Sequence, residues 1–161
     1  MNLWEKYHFL HRAWRYRLIS EKFGVQYLLK LDLTGKLCID IGANRGIFSY
    51  WMHQKIGPNG KVIAFEPQEE LNTKLKELRT SFRLSQLEIA GLGLSCLEQT
   101  LRMTRPVNHW GGASVENPGS SGECDEFDIK VTTLDSYLNR ESRNNLGFIK
   151  CDVEGHELDV I

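Results

Sequence analysis

Cys38-Ile39-Asp40-Ile41-Gly42-Ala43-Asn44-Arg45-Gly46 is the stretch that decides the fold, together with Lys61-Val62-Ile63-Ala64-Phe65-Glu66 further along the chain. An apolar strand leads into a turn with two glycines, and a second strand ends at a carboxylate. Glycine lets backbone approach a ligand where a Cβ would collide, and the first turn of the following helix offers unpaired N–H groups. Because the acidic residue after the second strand of dinucleotide folds binds the ribose hydroxyls, this order predicts a nucleoside-cofactor site.

The spacing of the glycines distinguishes between nucleoside cofactors. Dinucleotide folds use Gly-x-Gly-x-x-Gly to bring backbone against a pyrophosphate, whereas this chain has Asp40-x-Gly42-x-x-x-Gly46. A carboxylate at Asp40 would repel a pyrophosphate but suits a ligand that carries positive charge. S-adenosylmethionine has a sulfonium, an ammonium and no phosphate, so we interpret the turn as a site for this cofactor. A strand, turn and helix whose glycines serve packing alone is the alternative.

The composition is that of one globular domain. The chain has 161 residues, of which 41% are hydrophobic and 25% charged, enough for a sizeable core. No apolar run reaches the length that spans a bilayer, no signal peptide is indicated, and a formal net charge of -1 does not favour a nucleic-acid partner. The four cysteines show no Cys-x-x-Cys spacing, so we expect no metal site and a reducing, cytoplasmic location.

Residues 1–30 are predicted to form an amphipathic helical segment ahead of the main domain. This segment carries six Lys and Arg against two Glu. Apolar side chains recur at steps of three and four residues, as on one face of a helix: Trp4, Tyr7, Leu10, Trp14 and Leu18. We expect this stripe to pack on the domain or cover its ligand cleft, because aromatic stripes at helical spacing are usually buried. A basic helix with such a stripe can instead lie on an anionic membrane surface.

From residue 31 onward strands and helices alternate. Apolar strands are predicted at residues 37–41, 61–65 and 87–92, with amphipathic helices at about 46–56 and 67–82 between them. This order predicts an α/β fold with a Rossmann-like, doubly wound, mostly parallel sheet. Further along, apolar and polar residues alternate at 97–103 and 127–131, which predicts an inserted antiparallel pair. A mobile loop rich in Gly and Ser is expected between them at 108–123, with His109 and Trp110 as residues that could close over an acceptor.

A second polar group follows a later strand. Residues 148–151 are apolar apart from one lysine and lead into Asp152-Val153-Glu154-Gly155-His156-Glu157. In open α/β sheets, ligands bind at the carboxyl ends of strands, near the point where strand order reverses. If this strand lies beside the first one, Asp152 emerges next to Asp40 and lines the same cleft. The alternative is that these carboxylates cap the helix that follows.

The four motifs together resemble those of the FkbM family of methyltransferases. The resemblance rests on residues 38–46, on Ala64-Phe65-Glu66-Pro67, on Thr133-Leu134-Asp135 and on residues 148–157, in this order. It implies a methyltransferase-type Rossmann-like fold and S-adenosylmethionine as methyl donor. It also implies O-methylation of a small-molecule, sugar or polyketide hydroxyl. Residues 31–161 would then be an incomplete methyltransferase domain, since the family normally has late strands that are missing here.

Carried over by residue, the resemblance gives two sets of site residues. The predicted cofactor-binding residues are Asp40, Gly42, Ala43, Asn44, Gly46, Glu66, Gly91 and Asp152. A hydroxyl acceptor is a poor nucleophile until its proton is removed, so the predicted catalytic residues are the candidates for a general base: Asp152, Glu154 and His156.

Two other functions stay open at this point. An NAD-dependent oxidoreductase could use the same architecture, although the missing middle glycine argues against a pyrophosphate. A non-catalytic nucleoside-binding remnant of a methyltransferase is the other alternative. The expected partner of the enzyme is a small molecule that carries a hydroxyl acceptor.

Overall fold

The computed structural model describes residues 1–106, 115 and 124–160. The predicted loop at 108–123, with His109 and Trp110, therefore lies outside the described residues except for Val115. The strands are β1 Leu37–Ile41, β2 Lys61–Phe65, β3 Leu87–Ala90, β4 Gly93–Leu94, β5 Gln99–Pro106, β6 Cys124–Thr132 and β7 Leu146–Cys151. The helices are α1 Leu3–Arg15, α2 Lys22–Lys30, α3 Ile47–Ile56, α4 Glu69–Ser81, α5 Leu134–Tyr137, α6 Arg140–Asn144 and α7 Glu157–Val160, with a π-helical segment Tyr16–Ser20 between α1 and α2.

A parallel sheet in the order β3-β2-β1-β7 positions the predicted site. In its centre, Ile39 of β1 pairs with Ile63 of β2 on one side and with Ile149 of β7 on the other. β1 and β7 are therefore neighbours although about a hundred residues separate them. This confirms the predicted doubly wound, mostly parallel sheet, and it brings the carboxyl ends of β1 and β7 side by side.

The sheet is covered on both faces, which explains why every residue of β1 is buried. Cys38 faces a cluster formed mainly with α2, α3 and α4, whereas Ile39 and Ile41 face a second cluster that includes Leu134 and Leu138 around α5. Successive side chains of a strand point to opposite faces, so a strand between two layers must be apolar on both. Burial raises the pKa of the Cys38 thiol to about 11.

A smaller sheet in the order β4-β6-β5 lies after β3. β5 and β6 are antiparallel, as predicted, and Leu101 pairs with Ile129. The third strand ends earlier than predicted, at Ala90, because the chain leaves the parallel sheet and Gly93 pairs with Val131 of β6. A Cβ on Gly93 would lie 2.9 Å from the Val131 side chain, so a residue without a side chain allows this close pairing.

The N-terminal helix is present, but the prediction about its buried face is wrong. Trp4 and Tyr7 are 67% and 61% exposed, while Phe9 and Ala13 on the opposite face are buried. The small Ala13 lets the helix approach the core closely, and its carbonyl oxygen accepts a hydrogen bond from the Trp51 indole N–H at 3.2 Å. The helical spacing was therefore correct, but close packing favoured the face with the smaller residue. None of the described helices is both long and apolar enough to cross a bilayer.

Candidate functional site

A cleft of about 1010 Å³ lies at the carboxyl ends of β1, β2 and β7. Its lining includes the turn after β1, Glu66 after β2, and Lys150 with the polar turn after β7. Arg12, Arg15 and Tyr16 line it from the N-terminal helices, and side chains of the smaller sheet line it from the other side. The cleft therefore lies at the sheet edge where open α/β folds bind ligands.

The turn after β1 is fixed by two left-handed glycines. Gly42 has φ +70, and a Cβ there would collide with the carbonyl oxygen of Asp152. Gly46 has φ +77, and a Cβ there would lie 2.7 Å from the side chains of Leu75 and Leu78 in α4. Both positions thus require glycine for their conformation and for the approach of neighbouring elements. The packing role that the sequence left as an alternative is real at both glycines.

Glu66 holds the turn from the end of β2. Its side chain is almost fully buried, and its two oxygens accept N–H bonds from Asn44 at 2.9 Å and from Gln68 at 3.0 Å. Burial raises the pKa of this carboxyl, while the two N–H bonds act in the opposite direction. The side chain of Gln68 donates a third hydrogen bond to this carboxylate, and because two carboxylate oxygens have four acceptor sites in all, one site is left for a ligand in the cleft.

Asp40 is fully buried at the end of β1 and fixes the start of α3. Its Oδ2 accepts hydrogen bonds from the backbone N–H of Ser49 at 2.8 Å and from the Ser49 hydroxyl at 2.6 Å. Its Oδ1 accepts no hydrogen bond and lies 3.6 Å from Lys150 Nζ. The carboxylate therefore gives a fixed negative charge beneath the turn, as the sequence predicted. One of its two oxygens, Oδ2, is already occupied by the hydrogen bonds from Ser49.

Lys150 is a site residue that the sequence analysis did not single out. Its Nζ donates to the carbonyl oxygens of Gly42 at 3.0 Å and Ile41 at 3.3 Å, and it lies 3.4 Å from Asp152 Oδ2. The ammonium group thus links the carboxyl ends of β1 and β7. The signal was present in the sequence, because Lys150 and Asp40 each interrupt an apolar strand and they pair in register. Opposite charges in register on neighbouring strands indicate an ion pair.

The turn after β7 is open and has two residues in the left-handed region. Glu154 has φ +53 and Gly155 has φ +103. Glu157 holds this turn, since its Oε1 accepts N–H bonds from Val153 at 3.0 Å and from Gly155 at 3.4 Å. These backbone N–H groups lower the pKa of the Glu157 carboxyl. Glu157 therefore closes the turn that precedes α7, and no hydrogen bond from the α7 backbone to Asp152 or Glu154, the capping alternative of the sequence, is seen among the described residues. The side chain of Asp152, by contrast, is 67% exposed.

His156 joins the turn after β7 to neighbouring elements. Its Nε2 lies 3.1 Å from the hydroxyl oxygen of Ser95, and its Nδ1 lies 3.3 Å from Asp159 Oδ2. The ring is nearly buried but lines the cleft. Both ring nitrogens thus have protein partners, an arrangement that fixes the orientation of the imidazole.

A family model described as the methyltransferase FkbM domain matches residues 40–161. The chain belongs to the FkbM methyltransferase family. The matched range begins at Asp40 and includes the turn after β1, Glu66 and the whole turn after β7. No curated protein matches the chain in sequence.

Several solved structures are similar to parts of this FkbM domain. An FkbM methyltransferase from Methylobacillus flagellatus KT is 18% identical with a TM-score of 0.56, and the match covers 81% of this chain and 29% of that one. A SAM dependent methyltransferase from Aquifex aeolicus (22% identity, TM-score 0.40) matches over 47% of this chain and 39% of that one. A SAM-dependent O-methyltransferase from Thermotoga maritima (25% identity, TM-score 0.41) matches over 45% and 28%. In each case the matched part thus spans well under half the length of the solved chain.

The FkbM domain brings most of the predicted site residues into one cleft. The predicted residues that line it are Asp40, Gly42, Ala43, Asn44, Glu66, Asp152, Glu154 and His156. Gly46 lies behind the turn against α4. Gly91 is not among the lining residues, which instead include Gly93 and Leu94. Among the described residues, no group of three His, Cys, Asp or Glu side chains is arranged to hold a metal ion.

Proposed function

We propose that this chain binds S-adenosylmethionine in the cleft and transfers its methyl group to a hydroxyl of a small molecule such as a sugar or a polyketide. One observation carries the cofactor proposal. Glu66 is a buried carboxylate at the end of β2 that lines the cleft, its oxygens are aligned by Asn44 and Gln68, and one of its four acceptor sites is left for a ribose hydroxyl. Membership of the FkbM family supports methyl transfer as the reaction.

The carboxylates at the strand ends fit a cationic cofactor better than a pyrophosphate. Asp40, Glu66 and Asp152 line the cleft there with Lys150, and Lys150 already lies within 3.6 Å of two of these carboxylates. Arg12, Arg15 and Arg45 also line the cleft. A pyrophosphate bound at the strand ends would meet the three carboxylates, whereas a sulfonium and an ammonium are favoured by them. Glu66 would hold the ribose, and the turn from Gly42 to Asn44 would contact the methionine side. When bound, the cofactor supplies an electrophilic methyl group.

The chain's contribution to the reaction is to align the acceptor and to take its proton. Alignment makes methyl transfer effectively unimolecular, and the fixed turn after β1 suits this task. We assign proton removal to Asp152, whose side chain is mostly exposed at the cleft, with Glu154 and His156 as the other candidates. Lys150, 3.4 Å from Asp152, keeps that carboxylate oriented. The acceptor oxygen gives its proton to Asp152 as it takes the methyl group.

Calorimetric titration with S-adenosylmethionine and with NAD tests the cofactor proposal. We expect binding of S-adenosylmethionine alone. Glu66→Ala should weaken it by about 1–3 kcal/mol because charged hydrogen bonds to the ribose are lost, and Glu98→Ala, at an exposed position outside the cleft, serves as the matched control. Thermal unfolding of each variant separates lost binding from lost folding. Binding of NAD without S-adenosylmethionine would make the oxidoreductase alternative correct.

Formation of S-adenosylhomocysteine from S-adenosylmethionine in the presence of each member of a panel of sugars and polyketides tests methyl transfer. Asp152→Asn should lower the rate of transfer without weakening cofactor binding, since the amide cannot accept the proton. His156→Gln should lower the rate less, because both ring nitrogens of His156 already contact protein groups. Cofactor binding without transfer to any acceptor would favour the non-catalytic remnant.

A further inference from the structure

Large apolar side chains are exposed mainly at one end of the chain. Of the eleven exposed large hydrophobic residues in the described part, eight lie between residues 3 and 27, so they form a concentration and not a scatter. We call the eight residues the N-terminal face: Leu3, Trp4, Tyr7, Trp14, Leu18, Ile19, Phe23 and Tyr27. Single exposed apolar residues are ordinary, but a concentration of this size in one part of the molecule indicates an interaction surface.

The rings of the N-terminal face lie next to one another along α1. Trp4 and Tyr7 are stacked with their centroids 6.0 Å apart, and His8 packs edge-on against Trp4 at 4.5 Å. The ring of His11 continues the row, 6.4 Å from Tyr7. Because the opposite side of the helix is buried through Phe9 and Ala13, the direction in which α1 presents these rings is fixed. Phe23 and Tyr27 extend the exposed set one helical turn apart along α2.

The surroundings of the N-terminal face are positively charged. Residues 1–30 carry six Lys and Arg against two Glu, whereas the rest of the chain carries fourteen against nineteen acidic residues. Of these six cations Arg12 and Arg15 line the cleft, so Lys6, Arg17, Lys22 and Lys30 are the ones left for the face. One of these cations is built into the face, since the guanidinium of Arg17 lies 4.7 Å from the centre of the Trp14 ring. Exposed Lys22 and Lys30 lie at the two ends of α2.

We propose that the N-terminal face docks the protein on an anionic lipid bilayer. A helix with aromatic and aliphatic side chains on one side and basic residues around them lies in the plane of the membrane interface. Lys and Arg add attraction to anionic headgroups. Charge complementarity favours an anionic bilayer over a second copy of the chain as the partner of this face. Two copies joined through the face would bring two surfaces of the same positive charge together. The other side of α1 contributes Arg12 and Arg15 to the cleft, so the cleft would open close to the lipid surface.

Vesicle sedimentation tests the proposal and needs neither cofactor nor acceptor. The probes are vesicles of phosphatidylcholine alone and vesicles with equal parts of phosphatidylglycerol. We expect binding to the anionic vesicles, weaker binding in high salt, and a blue shift of tryptophan fluorescence on binding. The double variant Trp4→Ala, Phe23→Ala should lower the partition coefficient about tenfold because it removes two interfacial rings. Lys22→Glu should lower it about fivefold or more.

Matched controls keep the test specific. Leu97→Ala removes an apolar side chain that is similarly exposed but lies outside the face, and Lys130→Glu reverses an exposed charge on β6; both should bind as the original chain does. Absence of binding to the anionic vesicles overturns the proposal. So does concentration-dependent dimerisation in analytical ultracentrifugation that Trp4→Ala, Phe23→Ala abolishes, since the face would then join two copies. These outcomes leave the cofactor proposal intact, because S-adenosylmethionine titration is measured separately without lipid.

Discussion

The two turns that form the cleft differ in how far their carboxylates are buried. Around the turn after β1, Asp40 and Glu66 are buried, and their oxygens are held by Ser49 and by backbone N–H groups. In the turn after β7, Asp152 is mostly exposed, and its neighbour Glu154 is exposed as well. The first turn is therefore preorganised before any ligand arrives, whereas the second leaves its carboxylates available to the solvent. This contrast matches a cleft in which one end fits an invariant cofactor and the other end fits a variable acceptor.

Lys150 gives the strongest test of this difference between the two turns, because it contacts one carboxylate from each turn. Lys150→Met should lower the free energy of unfolding by about 3–5 kcal/mol, since it leaves the buried charge of Asp40 without its cation. Asp152→Asn removes only an exposed partner of the same lysine and should cost less than about 1 kcal/mol. Equilibrium urea unfolding measures both. Equal losses in the two variants would show that the two carboxylates are not energetically different.

Gly42 tests how closely the two turns are packed. Gly42→Ala should lower the free energy of unfolding by about 2–4 kcal/mol, because the new Cβ collides with the Asp152 carbonyl and the left-handed backbone is also disfavoured. Gly35→Ala is a matched control, since Gly35 has φ +72 but no atom close to its Cβ position; it should cost about 1 kcal/mol. The same urea titration measures the difference, and no difference between the two would mean that the β7 end moves aside freely.

Glu157 tests how the open turn is held. Glu157→Ala should lower the free energy of unfolding by about 1 kcal/mol at neutral pH, because two backbone N–H groups lose their acceptor. The pKa of Glu157 is lowered below 4.5 in the folded state, so this contribution is present above pH 4.5 and is lost as the pH falls through the folded value. Thermal unfolding at pH 7 and at pH 3 should show that the effect of Glu157→Ala shrinks in acid. A constant difference would mean that ionisation of Glu157 does not support the turn.

The smallest expected effect concerns the pH dependence of cofactor affinity. Burial raises the pKa of Glu66 above 4.5, so the ionised form that would accept a ribose hydroxyl under our proposal is lost as the pH falls through the raised value. Affinity for S-adenosylmethionine should then fall by less than about tenfold in weakly acidic buffer, above pH 4.5, with proton release on binding. Calorimetry in buffers of different ionisation enthalpy detects that proton. The affinity of Glu66→Gln should not depend on pH, whereas that of the original chain should. Equal pH dependence in both would contradict the prediction.

The sequence predicted the half of the fold that has strong periodicity. From β1 to α4 each strand is a short apolar run and each helix has an inner stripe, so their bounds are close to the predicted ones. The elements it missed have little to signal them. β4 has two residues, and α6 has no buried residue and is started by Asn139, whose side chain accepts the Ser142 N–H at 2.8 Å.

The sequence pointed to those residues of the candidate site whose type alone suggests their chemistry. It missed the residue whose role depends on which strands lie side by side. The turn after β1 and Glu66 were visible because glycines and a terminal carboxylate have few other uses at those positions. The role of Lys150 depends on which strand lies next to β7, and the outward direction of Trp4 depends on which side of α1 can approach the core. Both depend on tertiary structure, which the spacing of residues along the chain does not determine.

The contact between Gly42 and the Asp152 carbonyl bears on any attempt to re-engineer this protein. Since the Asp152 N–H also bonds to the Ile41 carbonyl at 3.2 Å, the backbones of the two neighbouring turns are in direct contact where they leave the sheet. Backbone insertions at residues 152–154 would therefore disturb the turn after β1 as well. Altering which molecule is accepted is better pursued by exchanging side chains at Asp152 and Glu154, or on the wall that Met103 and Ile129 provide, while the main chain is left untouched.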